Sequence, residues 1–448
     1  MHLLERPGRA PAGGWVLRKD VSELLASNAL WLLLLVVGFL VGHAFLTATS
    51  TYAEMSGAGG GPMMLAQGLS PLDGIVVPTF GAYDLAATFL LPFVVIRLVA
   101  TERQTGAIKL VLQARASHAS LMLSKVTVLL GCWLVAMIPG VIALAMWRAA
   151  GGHLSASEVA CVLVGHLVLA AIAVGVSAAA SGVARSSASA AIVALTFTLG
   201  TWAIDFVGAV QGGWVQEVSR YTPSAVVRTF EHGELRLATI VIAAIVVAAG
   251  LGLATIALDL GSTRRQQMLR STVLLGTAAV VALGASRLRG SWDVSEDRRS
   301  SFAPADERTL AAIRDPLTIE IHLAREDPRR VDFERNVLAK LQRSMRVNVV
   351  DAGSTGTGML SRSSEYGEMI YALRGNRDTT RSVAEPIVLE TIYHVARMTP
   401  PGPPANSAAY RGYPLARAPG GIAIVFFVLW PAMVIAGWMF GGRKVSWR

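Results

Sequence analysis

Residues 29–48 read ALWLLLLVVGFLVGHAFLTA, twenty positions without one charged side chain. A hydrocarbon core about 30 Å thick needs roughly 20 such residues in helical form, so this stretch predicts a membrane span. Working outward, further runs of spanning or near-spanning length lie at 82–100, 126–147, 159–183, 187–210, 237–258, 271–286 and 420–441. The run 271–286 is short and needs Arg270 and Arg287 to snorkel at its ends. Charged residues make up 16% of the 448-residue chain, against about 25% in a typical soluble protein. The expectation is an α-helical polytopic membrane protein of about eight spans. Pro92 and Pro139 fall inside spans, where a kink is tolerated if neighbouring helices satisfy the freed carbonyls. Cys132 and Cys161 also fall inside spans and supply neither a disulfide framework nor a metal site by spacing.

Lys and Arg in short loops set the orientation. With the N-terminus inside, fifteen basic residues lie on the inner side, among them Arg18, Lys19, Arg103, Lys109, Arg115 and Lys125. The short outer loops hold four: Arg148, Arg220, Arg228 and Arg236. This bias predicts both termini in the cytoplasm, which needs an even number of spans and so supports 271–286. A cleaved signal peptide fits poorly, because Asp20 and Glu23 precede the first run and that run is long for a leader. Residues 14–28 have amphipathic spacing, with Trp15, Val16, Val21, Leu24 and Leu25 apolar and Arg18 and Lys19 basic. They predict a helix lying on the inner membrane surface within a cytoplasmic segment, 1–28.

From 289 to 415 the composition turns polar and no run has spanning length. Helices are expected at 305–314, 331–345 and 385–397, and strands at 318–323 and 347–350. A hairpin of 368–373 with 379–383 would turn around Gly375 and Asn376 through more than two residues. A Pro-rich linker at 400–404 leads to the last span, 420–441, and a tail, 442–448. Strand–helix–strand, hairpin, helix is the order of a small α/β, thioredoxin-like core. It would be redox-inert, because the insert holds no cysteine.

The inner stretch from Thr101 to Lys125 reads TERQTGAIKLVLQARA before Ser117, a basic and partly amphipathic segment. It resembles the loop of type-2 ABC transporter permeases, at Glu102, Gly106, Ile108, Leu112, Ser117 and Lys125. The resemblance implies a coupling helix on a separate ATPase subunit, with Glu102, Arg103, Gly106, Lys109, Arg115 and Lys125 as coupling residues. Pro223, Phe230, Gly233 and Leu235 resemble the partly embedded outer segment ahead of the sixth span in the same family, with altered spacing. Residues 29–260 would then be a six-span permease core. Trp292 to Pro304, with Asp293 and Phe302, resembles the opening of the extracytoplasmic auxiliary subunit of gliding-motility transporters. The insert 289–415 is too short for the larger second lobe of those relatives.

No G-x-x-x-x-G-K-S/T occurs, nor any Gly-Lys pair, so the usual phosphate cradle is missing from this chain. H-E-x-x-H and G-x-S-x-G are missing too. The expectation is a transport subunit, not an enzyme, in a bacterial cytoplasmic membrane. ATP and Mg would be held by a partner ATPase, beside a second permease copy or a paralogue and membrane lipid. No nucleic acid and no metal are expected. Asp84, His166 and Asp205 are the ionisable residues inside spans that draw notice. They line a substrate path, or else His166 bonds a neighbouring helix and the two Asp side chains reach interfacial water. The alternative function is ATP-driven mechanotransmission, or assembly of extracytoplasmic machinery of a gliding-motility or metalloenzyme-maturation kind, without translocation.

Overall fold

The computed structural model describes residues 13–55, 70–105, 118–211, 213–259, 261–288, 290–324, 327–351, 366–402 and 418–441. The chain divides into two units. The first comprises Met1–Glu231, Leu235–Gly290 and Gly412–Arg448; the second comprises His232–Glu234 and Ser291–Arg411.

Among the described residues of the first unit, eight helices are long and apolar enough to cross a membrane. They are Asn28–Met55, Leu72–Ala100, Ala119–Ala149, Ala156–Val183, Ser187–Gly208, Leu237–Leu258, Arg264–Ala285 and Ile422–Gly441. Each contains the core of one apolar run read from the sequence, and most extend beyond it, because helix propagates into polar interfacial residues. The seventh shows this best. A capping box between Thr263 and Gln266 starts the helix well before 271. Its 22 residues reach about 33 Å at 1.5 Å each, enough for the bilayer core. Asp259 accepts from Arg270 at 3.0 Å and fixes the turn out of the sixth helix.

Proline and glycine decide how the spans pack. Pro92 cannot donate to the carbonyl of Thr88, four residues back, and the Thr198 hydroxyl donates to that oxygen at 3.1 Å. A wide π-helical turn at Ala86–Leu90 precedes it. Pro139 divides the third span into His118–Ala136 and Ile138–Ala149. The last span docks on the first through rings seated over glycine. Trp430 lies over Gly38 and donates to the carbonyl of Leu34 at 2.8 Å, and Phe426 lies over Gly42. The fourth and sixth helices approach so closely that a Cβ at Gly250 would come within 2.6 Å of the backbone of Gly175. Such small-residue contacts replace the hydrophobic drive that lipid cannot supply between helices.

The amphipathic segment is a helix, Gly13–Leu25. Val16 and Leu24 are buried, whereas Val21 and Leu25 are exposed.

The second unit has two three-residue strands, β1 (Glu234–Arg236, of which Glu234 belongs to it) and β2 (Ser291–Asp293). A four-stranded sheet follows: β3 (Leu317–Ile321), β4 (Val347–Asp351), β5 (Met369–Leu373) and β6 (Asn376–Thr380). The order is β4-β3-β5-β6, with β3 parallel to β4 and antiparallel to β5, and β5 antiparallel to β6. Alternate side chains of β3 (Leu317, Ile319, Ile321) and β5 (Met369, Tyr371, Leu373) face one core with Phe333, Leu341 and Ile392. Helices Pro304–Ala311 and Glu385–Ala396 match the expectation to within a few residues. The expected helix 331–345 begins earlier, at Pro328, where the Asp327 carboxylate caps the amide of Arg329 at 2.9 Å. The hydrogen-bonded Arg329 guanidinium, helped by that capping amide, holds the Asp327 carboxyl down at about 2.

The hairpin differs from the sequence reading. Its second strand starts at Asn376, three residues early, because the turn has only two residues, Arg374 and Gly375. Both have positive φ, 52° and 85°, the conformation of a type I′ turn. Arginine rarely adopts it; here the Arg374 guanidinium is ion-paired to Asp315. Asp293 organises the loop after β2, accepting from Ser295 N at 3.0 Å, Ser300 N at 2.8 Å and the Ser301 hydroxyl at 2.8 Å. Phe302, fully buried, ends that loop in the core.

The Gly175–Gly250 crossing yields a test. Gly250→Val should lower stability by about 3 kcal/mol, the upper end of overpacking costs. Gly200→Ala, where an added Cβ meets nothing within 4 Å, should leave it unchanged. Thermal unfolding of the detergent-purified protein checks both.

Candidate functional site

Two clusters of ionisable side chains lie inside the first unit. The first joins the Gly13–Leu25 helix to the inner loop's two flanks. Glu102 lies in the last turn of the helix Leu91–Thr105, and Lys125 two turns into the helix His118–Ala136; both are buried, as is Asp20. Lys125 Nζ lies 3.0 Å from Asp20 Oδ1 and 2.8 Å from Glu102 Oε2. Lys19 pairs with Glu102 and, at 3.1 Å, with Glu23. Burial alone would raise the Glu102 carboxyl, but the charges and hydrogen bonds of Lys125 and Lys19 hold it below its ordinary value. Burial dominates at Asp20 and pushes it up against the pull of Lys125. Burial works against the Lys19 ammonium, yet its bond to Glu102 keeps it raised.

The second cluster lies deeper. His166, on the fourth span, is fully buried. Its Nδ1 is 3.4 Å from Asp84 Oδ1, on the second span, and its Nε2 is 3.6 Å from Glu231 Oε1. The Asp84 side chain is 35% exposed and that of Glu231 9%. Neither imidazole nitrogen has a hydrogen-bond partner, nor does Asp84 Oδ1. Rings fix the imidazole: Phe80 at 5.4 Å and Tyr83 at 6.0 Å between centroids. The amide of Gly140 donates to the Tyr83 hydroxyl at 2.9 Å, made possible by the bare α-carbon beside Pro139.

Glu231 arrives on a short helix, Pro223–Glu231, which Pro223 opens. Phe230 is fully buried against Gly165, where a Cβ would come within 2.5 Å of it. That close approach seats Glu231 beside His166, one residue further along both elements. Gly233 follows with φ of 71°, in the left-handed region.

The structure thus brings Glu102 and Lys125 together, and Asp84 and His166 together. Asp205 stands apart, ion-paired to Arg228 and accepting from the Thr222 hydroxyl at 3.4 Å. Arg103 continues the second long helix, and nothing is described of its side chain; Gly106, Lys109 and Arg115 lie outside the described residues. Sequence reasoning missed three participants, Lys19, Asp20 and Glu231. The signal for Glu231 was an acidic residue between Phe230 and Gly233, in a segment already suspected of entering the membrane.

No protein-family model matches the chain, and no curated protein matches it either. What fold and clusters define is a class: a helical, multi-pass membrane protein with a separate α/β unit.

Removing Lys125 would leave Asp20 and Glu102 buried without their shared cation. Lys125→Met should cost about 3–5 kcal/mol, the usual penalty for breaking a buried pair. Adding Asp20→Asn should recover part of it, read as unfolding midpoints. The two carboxylates respond to acid in opposite senses. Glu102's contribution is full above its unfolded value and lost as pH falls through the lower folded one. Asp20, raised in the fold, is relieved by protonation as pH falls.

Proposed function

We propose that the chain is the permease subunit of an ABC exporter, energised by a separate ATPase subunit that holds ATP and Mg. It would work beside a second copy or a paralogue in a bacterial cytoplasmic membrane. The observation that carries this reading is the buried cluster of Lys19, Asp20, Glu102 and Lys125. It clasps the amphipathic helix to the residues just before and just after the inner loop. A force applied to that loop would reach the second and third spans and the surface helix together. Glu102 and Lys125 then serve as the anchor of the loop rather than as its contact surface, because both are buried. Docking contacts would fall to the loop itself, with Gly106, Lys109 and Arg115.

In this reading the second unit is extracytoplasmic, and both termini are inside. Its strand order and directions suit the thioredoxin-like core expected of a shortened auxiliary domain. Transport follows if the two states driven by ATP bind substrate with different affinity. Mechanotransmission to outer machinery is the second reading, favoured by the second unit's self-contained core.

Two experiments test these assignments. Affinity purification of the tagged chain from its own membranes should recover a Walker-A polypeptide and vanadate-sensitive ATP hydrolysis; a preparation with neither would remove the ABC reading. Glu390 is exposed on its helix, and the native cysteines lie within spans. Glu390→Cys should therefore react with a membrane-impermeant maleimide in intact spheroplasts. Labelling only after lysis would put the second unit in the cytosol.

A further inference from the structure

The trio of the first unit, buried at His166 and Glu231 and partly exposed at Asp84, is unlike the other ionisable clusters described there. Asp20, Glu23 and Glu102 also converge, but Lys19 and Lys125 already neutralise them. Asp205 has Arg228. At Asp84, His166 and Glu231, two carboxylates face one imidazole, and among the described residues no lysine or arginine is ion-paired to either carboxylate. Glu231 is buried and Asp84 partly exposed, so two carboxyl groups and one imidazole share a site largely closed to water. Buried charge of that kind is retained where it is paired or coordinates a metal. The imidazole is fully buried, and both of its nitrogens lack a hydrogen-bond partner.

We propose that Asp84, His166 and Glu231 form a binding site for a divalent transition-metal cation such as Zn2+. The inference goes beyond the exporter reading and stands whether or not that reading holds. One ligand atom from each residue lies within 4.8 Å of the others. Zn–N and Zn–O bonds of about 2.0–2.2 Å place tetrahedral ligand atoms about 3.3–3.6 Å apart. An ion on Nδ1 would use the 3.4 Å separation to Asp84, and one on Nε2 the 3.6 Å separation to Glu231; either has that spacing. An imidazole binds one ion through one nitrogen. The carboxylate facing that nitrogen is already in place, and the other, within 4.8 Å, must move closer to reach tetrahedral spacing. A 2+ ion would cancel the cluster's charge. Imidazole with carboxylate oxygen suits Zn2+ and its first-row neighbours rather than the thiolate-seeking Cu(I). Three protein ligands leave a fourth position open, the pattern of sites that exchange a ligand rather than of closed structural ones. The partly exposed side of Asp84 provides the approach.

The test uses the full chain in detergent, carrying a tag without histidine, stripped with chelator and titrated with Zn2+ alone, without ATP or partner. The expected result is about one tight Zn2+ per chain, with a rise in unfolding temperature. His166→Gln, Glu231→Gln and Asp84→Asn should each weaken binding by more than about 100-fold, since even outer-shell partners are worth roughly 10–100-fold. His394→Ala removes an exposed His–Asp pair in the second unit and should change nothing. X-ray absorption of the Zn-loaded wild type needs no variant, and one imidazole with oxygen donors is expected. No stoichiometric binding overturns the proposal. So does binding that survives all three substitutions, binding lost with His394→Ala, or a zinc shell of two or more imidazoles. Because the measurement needs no ATPase, its failure leaves the exporter reading untouched, and failure to recover an ATPase leaves the metal site untouched.

Discussion

Charge is costly inside an apolar membrane unit, and much of this one follows from where its few internal charges are placed. An ionisable group at mid-membrane costs roughly 2.5–3.5 kcal/mol even on insertion scales. Asp20, Glu102 and Lys125 lie at or beyond the ends of the spans, and there mutual pairing offsets the burial of their charges and draws together three elements remote in sequence. At Asp205 it is offset by Arg228. At Asp84 and Glu231, among the described residues, no lysine or arginine is ion-paired to the carboxylates, and the imidazole of His166 stands between them. That difference, rather than burial as such, separates an anchor from a candidate site.

Backbone groups obey the same constraint. Hydrocarbon cannot satisfy a freed carbonyl, so every irregularity in a span needs a partner. Pro92 frees the oxygen of Thr88, and Thr198 on another helix supplies the hydrogen bond. The break at Pro139 exposes the amide of Gly140 to the Tyr83 hydroxyl, and Tyr83 packs on the imidazole of His166. The prolines are thus part of how the trio is held. The second unit solves its problem by the ordinary means of a water-soluble fold, with alternating strands around one core and a carboxylate, Asp293, saturated by loop donors.

The spans were legible because twenty apolar residues in a row have few other fates. Their ends were not, since helices run on into residues such as Arg264 and Gln266 whose polarity suits the interface. Strand alternation exposed the sheet of the second unit. The hairpin register slipped because a left-handed Arg374 carries no sequence signal, whereas Gly375 alone does. For the clusters, single residues could be read but partners could not. Asp84 and His166 stood out as ionisable groups in apolar runs. Glu231 lies outside any run, and nothing in the spacing of Lys19, Asp20, Glu102 and Lys125 announces that they meet.

One helical path ties the two clusters together. Asp84 and Glu102 stand eighteen residues apart on the second span and its inner extension, about 27 Å at the helical rise. A π-helical turn at Ala86–Leu90 lies between them, directly after Asp84. Such turns keep a helix continuous while rotating one end against the other, and they recur at functional positions. Above the turn Asp84 faces His166; below it Glu102 is clasped by Lys19 and Lys125. If the exporter reading holds, a load on the inner loop acts on this helix at Glu102. The wide turn, with its carbonyl at Thr88 bonded to Thr198, is where that load meets the least regular hydrogen bonding. The helix that carries Asp84 to His166 is thus the same element that the inner cluster holds at Glu102.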